Sequence, residues 1–236
     1  MSEARERLAA SRFLIVDIEL PEEASPDEQP VAHQLGLEAE DLAWLGREGE
    51  AVRAEFLGES AGFVVPVVEA GQVAHIHAFV TERYLVTVHR GPVEAIGSLT
   101  ARLPRERPSD TVATLFLLLE EALETFRRSA VQALLEVEDL EDEMFQQRRP
   151  QQVYRLARLR RRAALLHHSL LPYLEATDET LTRRTMSGSF PEERQRLARS
   201  YQRAARSVLT DIASLQDASR RAFVSYSPSC PANRTA

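Results

Sequence analysis

Residues Thr111 to Gln147 read TVATLFLLLEEALETFRRSAVQALLEVEDLEDEMFQQ, and the spacing inside this stretch sets the terms for everything around it. Val112, Phe116, Leu119, Leu123, Phe126, Ala130, Ala133, Val137, Leu140 and Met144 follow one another at alternating steps of four and three. That is the repeat of a helix that meets other helices along its whole length. At 1.5 Å per residue it would be roughly 55 Å long, wider than a small domain, so part of it is expected to project as a stalk, and a stalk implies assembly. Ser109 or Asp110 is suited to cap its start, and Gln146 to Pro150 stops it.

Downstream, Val153, Leu156, Leu159, Ala163, Leu166, Leu170, Leu174, Thr177 and Leu181 repeat the pattern and predict a second long helix, antiparallel to the first because only a short turn separates them. Its Arg155, Arg158, Arg160, Arg161 and Arg162 would then lie beside Glu136, Glu138, Asp139, Glu141, Asp142 and Glu143 at the far end of the first helix. Pro172 is expected to kink or break this helix, because its ring meets the carbonyl one turn back and removes a hydrogen bond. The loop from Thr185 to Pro191 ends it. A third helix runs through Leu197, Tyr201, Ala205, Val208, Ile212, Leu215, Ser219 and Ala222, and from Val224 to the end the pattern gives way to a frayed tail.

Upstream, residues 13–108 differ in kind. Phe13 to Leu20, Phe63 to Val68, Val73 to Phe79 and Tyr84 to Val88 are short runs rich in Val, Ile and Phe, read as strands. Ala70-Gly71 fits a tight hairpin and Thr81-Glu82-Arg83 a second turn. Val31 to Gly36, Ala39 to Leu45 and Pro92 to Leu103 read as helices. The chain is thus expected to be α+β: a charged, disordered start over 1–12, a mixed α/β module over 13–108, three long helices over 109–223 and the tail over 224–236.

At 44% hydrophobic and 28% charged, the 236 residues have an ordinary folded balance. The net charge of −7 argues against nucleic acid as a partner, and the arginine run lacks interleaved aromatics for base stacking. Cations fit better. Cys230 alone cannot form an intrachain disulfide. No window has the uncharged apolar length of a membrane span; the run Thr114 to Leu119 meets Glu120 and Glu121 at once. No Gly-x-Ser-x-Gly elbow and no glycine-rich phosphate loop occurs, so the chain is not read as an enzyme.

His75 and His77 leave the same face of a strand, but no third ligand lies nearby in sequence, and half-buried strand histidines are the simpler reading. His167 and His168 diverge by about 100° on a helix and cannot share an ion. His89 closes a strand and reads as structural. The acidic run Glu138, Asp139, Glu141, Asp142 leaves two readings open: a hard divalent ion held through water would relieve its self-repulsion, or the facing arginines neutralise it. Charge complementarity favours the arginines.

Several strings, in order, resemble the cytoplasmic portion of the CorA family of divalent-cation transporters. They are Tyr84-Leu85-Val86-Thr87-Val88-His89, Leu117-Leu118-Leu119-Glu120-Glu121, Val137-Glu138-Asp139-Leu140-Glu141-Asp142, the run Arg158 to Leu170 ending at Pro172, and Leu209 to Phe223. The resemblance implies an α/β/α amino-terminal domain, a two-helix hairpin and a stalk helix that leads to the membrane. It also implies a homopentamer, with Mg2+ (or Co2+, Ni2+ or Zn2+) held between subunits as a gating ligand. The family's two spans and their Gly-Met-Asn signature are missing from these residues, although Ala232-Asn233-Arg234-Thr235 resembles the junction before the first span. The chain is therefore expected to be the cytoplasmic, cation-sensing part of such a transporter, touching the membrane only through spans it lacks, and as a fragment monomeric, dimeric or pentameric. The family's inter-subunit sensor pairs one carboxylate after the last strand with another on the neighbouring stalk. By spacing, Glu94 matches the first; the second falls on Val224, for which Asp211 or Asp217 would substitute. The alternative is a stand-alone helical scaffold that binds a protein partner.

Overall fold

The computed structural model describes residues 12–20, 53–57, 60–185 and 191–226. The helices expected over 31–36 and 39–45, the turn over 186–190, Cys230 and the string at 232–235 lie outside them. Five strands, β1 (Leu14–Leu20), β2 (Arg53–Leu57), β3 (Ser60–Glu69), β4 (Gln72–Val80) and β5 (Tyr84–Arg90), form one sheet in the order β1-β5-β4-β3-β2. Four helices follow: α1 (Glu94–Glu106), α2 (Thr111–Gln146), α3 (Pro150–Thr185) and α4 (Glu192–Tyr226). The class is α+β, with the long helices where the periodicity put them.

β1 joins β5 in parallel while every other pairing is antiparallel. Between β3 and β4 the chain reverses over Ala70 and Gly71, both at positive φ (48° and 79°), the twist a two-residue hairpin requires. Between β4 and β5, the Thr81 hydroxyl accepts from the N–H groups of Arg83 and Tyr84. Pro66 is tolerated inside β3 because β2 pairs only with Ser60 to Val64, so its missing N–H falls beyond that ladder. β2 itself is absent from the sequence expectations. Its five residues, two of them charged, are too short for an alternation to register.

Nine of the ten seam positions of α2 are buried and Val112 is half-buried. The first half of α2 is buried nearly all round, from Ala113 through Phe126 with only Glu120 and Glu124 partly open, because β3 and α1 lie against it as well as α4. Beyond Ala130 only one face is covered. A single apolar cluster therefore runs from β3 through α2 to Ala222 on α4, and a second, Val64, Phe79, Val86 and Val88, occupies the other face of the sheet.

α2 and α3 are antiparallel, and α4 runs parallel to α2 and is pinned to it at both ends. Near the start, Arg194 of α4 donates to Asp110 at 3.0 Å and, through both terminal nitrogens, to Glu82 at 3.0 and 2.6 Å. Asp110 is also the N-cap of α2, accepting from the Ala113 N–H at 2.8 Å. At the other end Arg148 donates to the Ser225 carbonyl and the Tyr226 hydroxyl to the Arg149 carbonyl.

Two expectations are corrected. Pro172 does not break α3, which is continuous from Pro150 to Thr185. Pro172 sits on the exposed side, where water can satisfy the freed carbonyl, while Leu170, Tyr173 and Leu174 hold the opposite side in the core. The tail does not begin at Val224: α4 runs to Tyr226, held there by the two bonds from the α2–α3 turn.

Candidate functional site

Glu94 opens α1, and the way it is held explains where its carboxylate points. The N-cap, Val93, has no side chain able to accept from the first-turn N–H groups. Glu69, at the end of β3, does so instead, accepting the Glu94 N–H at 2.8 Å. A carboxylate at a helix start also meets the positive end of the helix dipole. With its backbone fixed, the Glu94 side chain reaches Arg128 of α2 at 2.5 Å. Both lie on the wall of a cleft of about 440 Å³ completed by Val68, Gly71, Thr125, Ser129, Gln132 and Arg162. Thr125 locks β3 to α2 here: its hydroxyl accepts from the Val68 N–H at 2.9 Å and donates to the Ala122 carbonyl. Arg162 is engaged by Ser129, Gln132 and Glu136 at 3.2–3.4 Å. Glu94 remains 59% exposed despite its partner, so it is accessible from outside the chain.

Asp211 occupies a different flank. Arg127, one residue before Arg128, pairs with Glu124 at 2.6 Å and lines a separate groove between α1, α2 and α4. Its pKa is raised by the hydrogen bond and charge of Glu124, with Asp211 adding to them. Consecutive helical side chains diverge by about 100°, so Glu94 and Asp211 meet different flanks of α2, and one chain does not bring them together. Asp217 is exposed and has no ion pair among the described residues.

The arginines of α3 meet only the edges of the acidic run. Arg155 bonds Glu143 at 2.7 Å, which holds that carboxyl below its ordinary range, and Arg162 lies 3.4 Å from Glu136. Glu138, Asp139, Glu141 and Asp142 are exposed and take no ion pair among the described residues. Asp139 shares the side of Glu136 and Glu143, and its charge, after theirs, helps raise the Arg155 pKa; Glu138, Glu141 and Asp142 sit on the side of α2 turned away from α3, a rotation that residue counting along the hairpin does not reveal. Among the described residues no group of three or more His, Cys, Asp or Glu side chains could hold a metal ion. His75 and His77 share a sheet face with Phe79, and burial lowers the His75 pKa.

The buried titratable site is elsewhere. His89, 4% exposed, places Nδ1 2.7 Å from the Gly91 carbonyl and Nε2 3.3 Å from Asp17, across the parallel β1–β5 pair. Thr87 donates to the other Asp17 oxygen at 2.5 Å. Both ring nitrogens face acceptors, so only the imidazolium satisfies both. Burial by itself would lower the His89 pKa, but the bonds to Asp17 and Gly91 and the charges of Asp17 and Glu19 raise it. Burial likewise works to raise the Asp17 carboxyl, and the His89 and Thr87 bonds bring it down. Stability from His89 is then fully present below the ordinary imidazole pKa of 6.5 and lost as pH rises through the raised value. Stability from Asp17 is present above 3.8 and lost as pH falls through its lowered value. Thermal unfolding from pH 5 to 9 should show His89→Gln losing most against the parent on the acid side of this range, with the two curves converging above neutrality. A constant gap between the curves would refute a charged His89.

The sequence profile described as CorA-like Mg2+ transporter protein matches residues 10–228. The chain belongs to this family. No curated protein matches the sequence. Among solved structures, the complete CorA magnesium transporter of Methanocaldococcus jannaschii superposes with a TM-score of 0.72 at 18% identity, covering 89% of this chain and 68% of that one. The soluble domain of the same transporter gives 0.70 at 18% identity, covering 89% and 88%. The full-length CmaX protein gives 0.74 at 16% identity, covering 89% and 67%. At these identities the likeness is one of fold. CorA-family members are transporters, and among the described residues of this one no helix is long and apolar enough to cross a membrane.

Proposed function

We propose that this chain is the cation-sensing cytoplasmic portion of a CorA-like Mg2+ transporter, with Glu94 as one half of a sensor completed by a stalk carboxylate of a neighbouring copy. The observation that carries the reading is the placement of Glu94: fixed through its backbone by Glu69, yet 59% exposed at the lip of a cleft. Asp211 faces another flank of α2, so a shared ion requires a second chain, which is the geometry of an inter-subunit sensor. Mg2+ keeps most of its water shell and needs one or two carboxylates, which Glu94 and Asp211 or Asp217 can supply. Co2+, Ni2+ and Zn2+ are the other candidate ions. Bound cation neutralises facing carboxylates and holds stalks together; its loss lets them repel, a population shift that both the ion and the assembly bias. A closed ring of copies, five in the family's resemblance, is the assembly this requires.

A second reading, a helical scaffold for a protein partner, draws on Phe145 and Tyr154. They flank the α2–α3 turn and are 94% and 77% exposed.

Sedimentation velocity and thermal unfolding, with and without millimolar MgCl2, separate the two. The sensor reading expects larger assemblies and a midpoint about 3–8 °C higher with the ion, both much reduced in Glu94→Gln. A parent chain indifferent to the ion in both measurements would leave the scaffold reading.

A further inference from the structure

Resting on the sensor reading, we propose that Arg128 is a tethered cation that competes with the divalent ion for Glu94, so that the ion concentration at which this protein responds is set by the arginine. Three observations meet here. The Arg128 guanidinium already donates to the Glu94 carboxylate at 2.5 Å. The other guanidinium of the cleft, Arg162, is committed to Ser129, Gln132 and Glu136, so it adds positive charge to the cleft without taking Glu94 itself. And Arg127, next in sequence, adds its charge on the flank that carries Asp211. Two consecutive arginines of α2 thus stand toward the two carboxylates that an inter-subunit ion would bridge.

A guanidinium and a hydrated dication want the same thing from a carboxylate, its oxygens, and cannot both have them. Because the pair is exposed, with Glu94 59% and Arg128 45% accessible, the tether is weak enough to be displaced. It also acts at a distance: even when displaced, a unit positive charge a few Å from a dication repels it through a mostly aqueous medium, which corresponds to about a tenfold change in apparent affinity. The chain lacks any three-ligand cluster among its described residues, so no stronger donor set offsets the arginine. The result is a sensor that stays insensitive until the ion is abundant.

The test is a MgCl2 titration of the thermal midpoint at constant ionic strength, on the whole chain, for the parent, Arg128→Gln, Arg128→Lys and the double variant Arg128→Gln/Glu94→Gln, with far-UV circular dichroism confirming each fold. Arg128→Gln should respond at about tenfold lower MgCl2, Arg128→Lys within about twofold of the parent, and the double variant should lose the response. An unchanged midpoint concentration in Arg128→Gln, with the parent still responding through Glu94, overturns the competition and leaves the sensor standing. A shift that survives in the double variant also overturns it, since the ion would then bind elsewhere. No response in the parent or in Arg128→Gln removes the sensor reading itself.

Discussion

Replacing Phe126 by alanine is expected to lower the unfolding free energy by about 3–5 kcal/mol, read as a fall in the urea midpoint at unchanged slope. Phe126 is fully buried. It lies at the level of α2 where the helix passes from being covered on nearly all sides by the sheet, α1 and α4 to being covered on one face only. Elements on every side are fixed there, by Thr125 on β3 and by Arg102 of α1 bridging Glu120 and Glu121, so the space left by a phenyl ring cannot close by collapse. That resistance puts the cost at the upper end for a large-to-small change. A loss under about 1 kcal/mol would mean that the helices and the sheet module separate at this level, contradicting the continuous core.

Arg194→Ala is expected to cost about 2–4 kcal/mol, the larger share of it from Asp110. The guanidinium is 10% exposed and joins three elements: the β4–β5 turn through Glu82, the start of α2 through Asp110, and α4, to which it belongs. Glu82 is 67% exposed and can return to water. Asp110 is only 21% exposed, and without Arg194 it keeps its bond to the Ala113 N–H but loses its counter-charge. Arg194→Lys should recover part of the loss, since one ammonium cannot serve two carboxylates with the fork that the guanidinium presents. The contrast is Arg128, whose pair with Glu94 is open to solvent, so Arg128→Gln should cost no more than about 1 kcal/mol. Denaturant midpoints for the two variants decide the matter: equal losses would remove burial as the reason Arg194 counts.

The long helices were legible from residue order because amphipathic spacing is a local property: Phe116 to Met144 face one way whatever they face. The hairpin of α2 and α3 followed from the shortness of the turn, and the turn at Ala70-Gly71 from residues that accept positive φ. β2 was not legible, since five residues at the sheet edge carry too few apolar side chains to show a period. That Pro172 leaves α3 unbroken was not legible, because the effect of the ring depends on which side of α3 it occupies. The site divides along the same line. Only the family resemblance, applied through the distance from Tyr84-Leu85-Val86, pointed to Glu94, and nothing near it in sequence names Glu69 as the group that caps its helix or Arg128 as its partner. The one hint was Val93, a residue that cannot cap, which leaves a helix start in need of an outside acceptor.

By itself the order of residues determined that the long helices exist and which of their faces are buried, because both depend on neighbours within a few positions. Only the packed chain decided which charges are answered. Arg127 and Arg128 are adjacent in sequence, yet one turns toward Glu124 and Asp211 and the other toward Glu94, while Glu138, Glu141 and Asp142 turn away from arginines that lie opposite them along the hairpin. The physical reason is that an ion pair acts over a few Å, and those few Å are set by the rotation and stagger of whole helices against one another, which their cores fix and their charges merely follow.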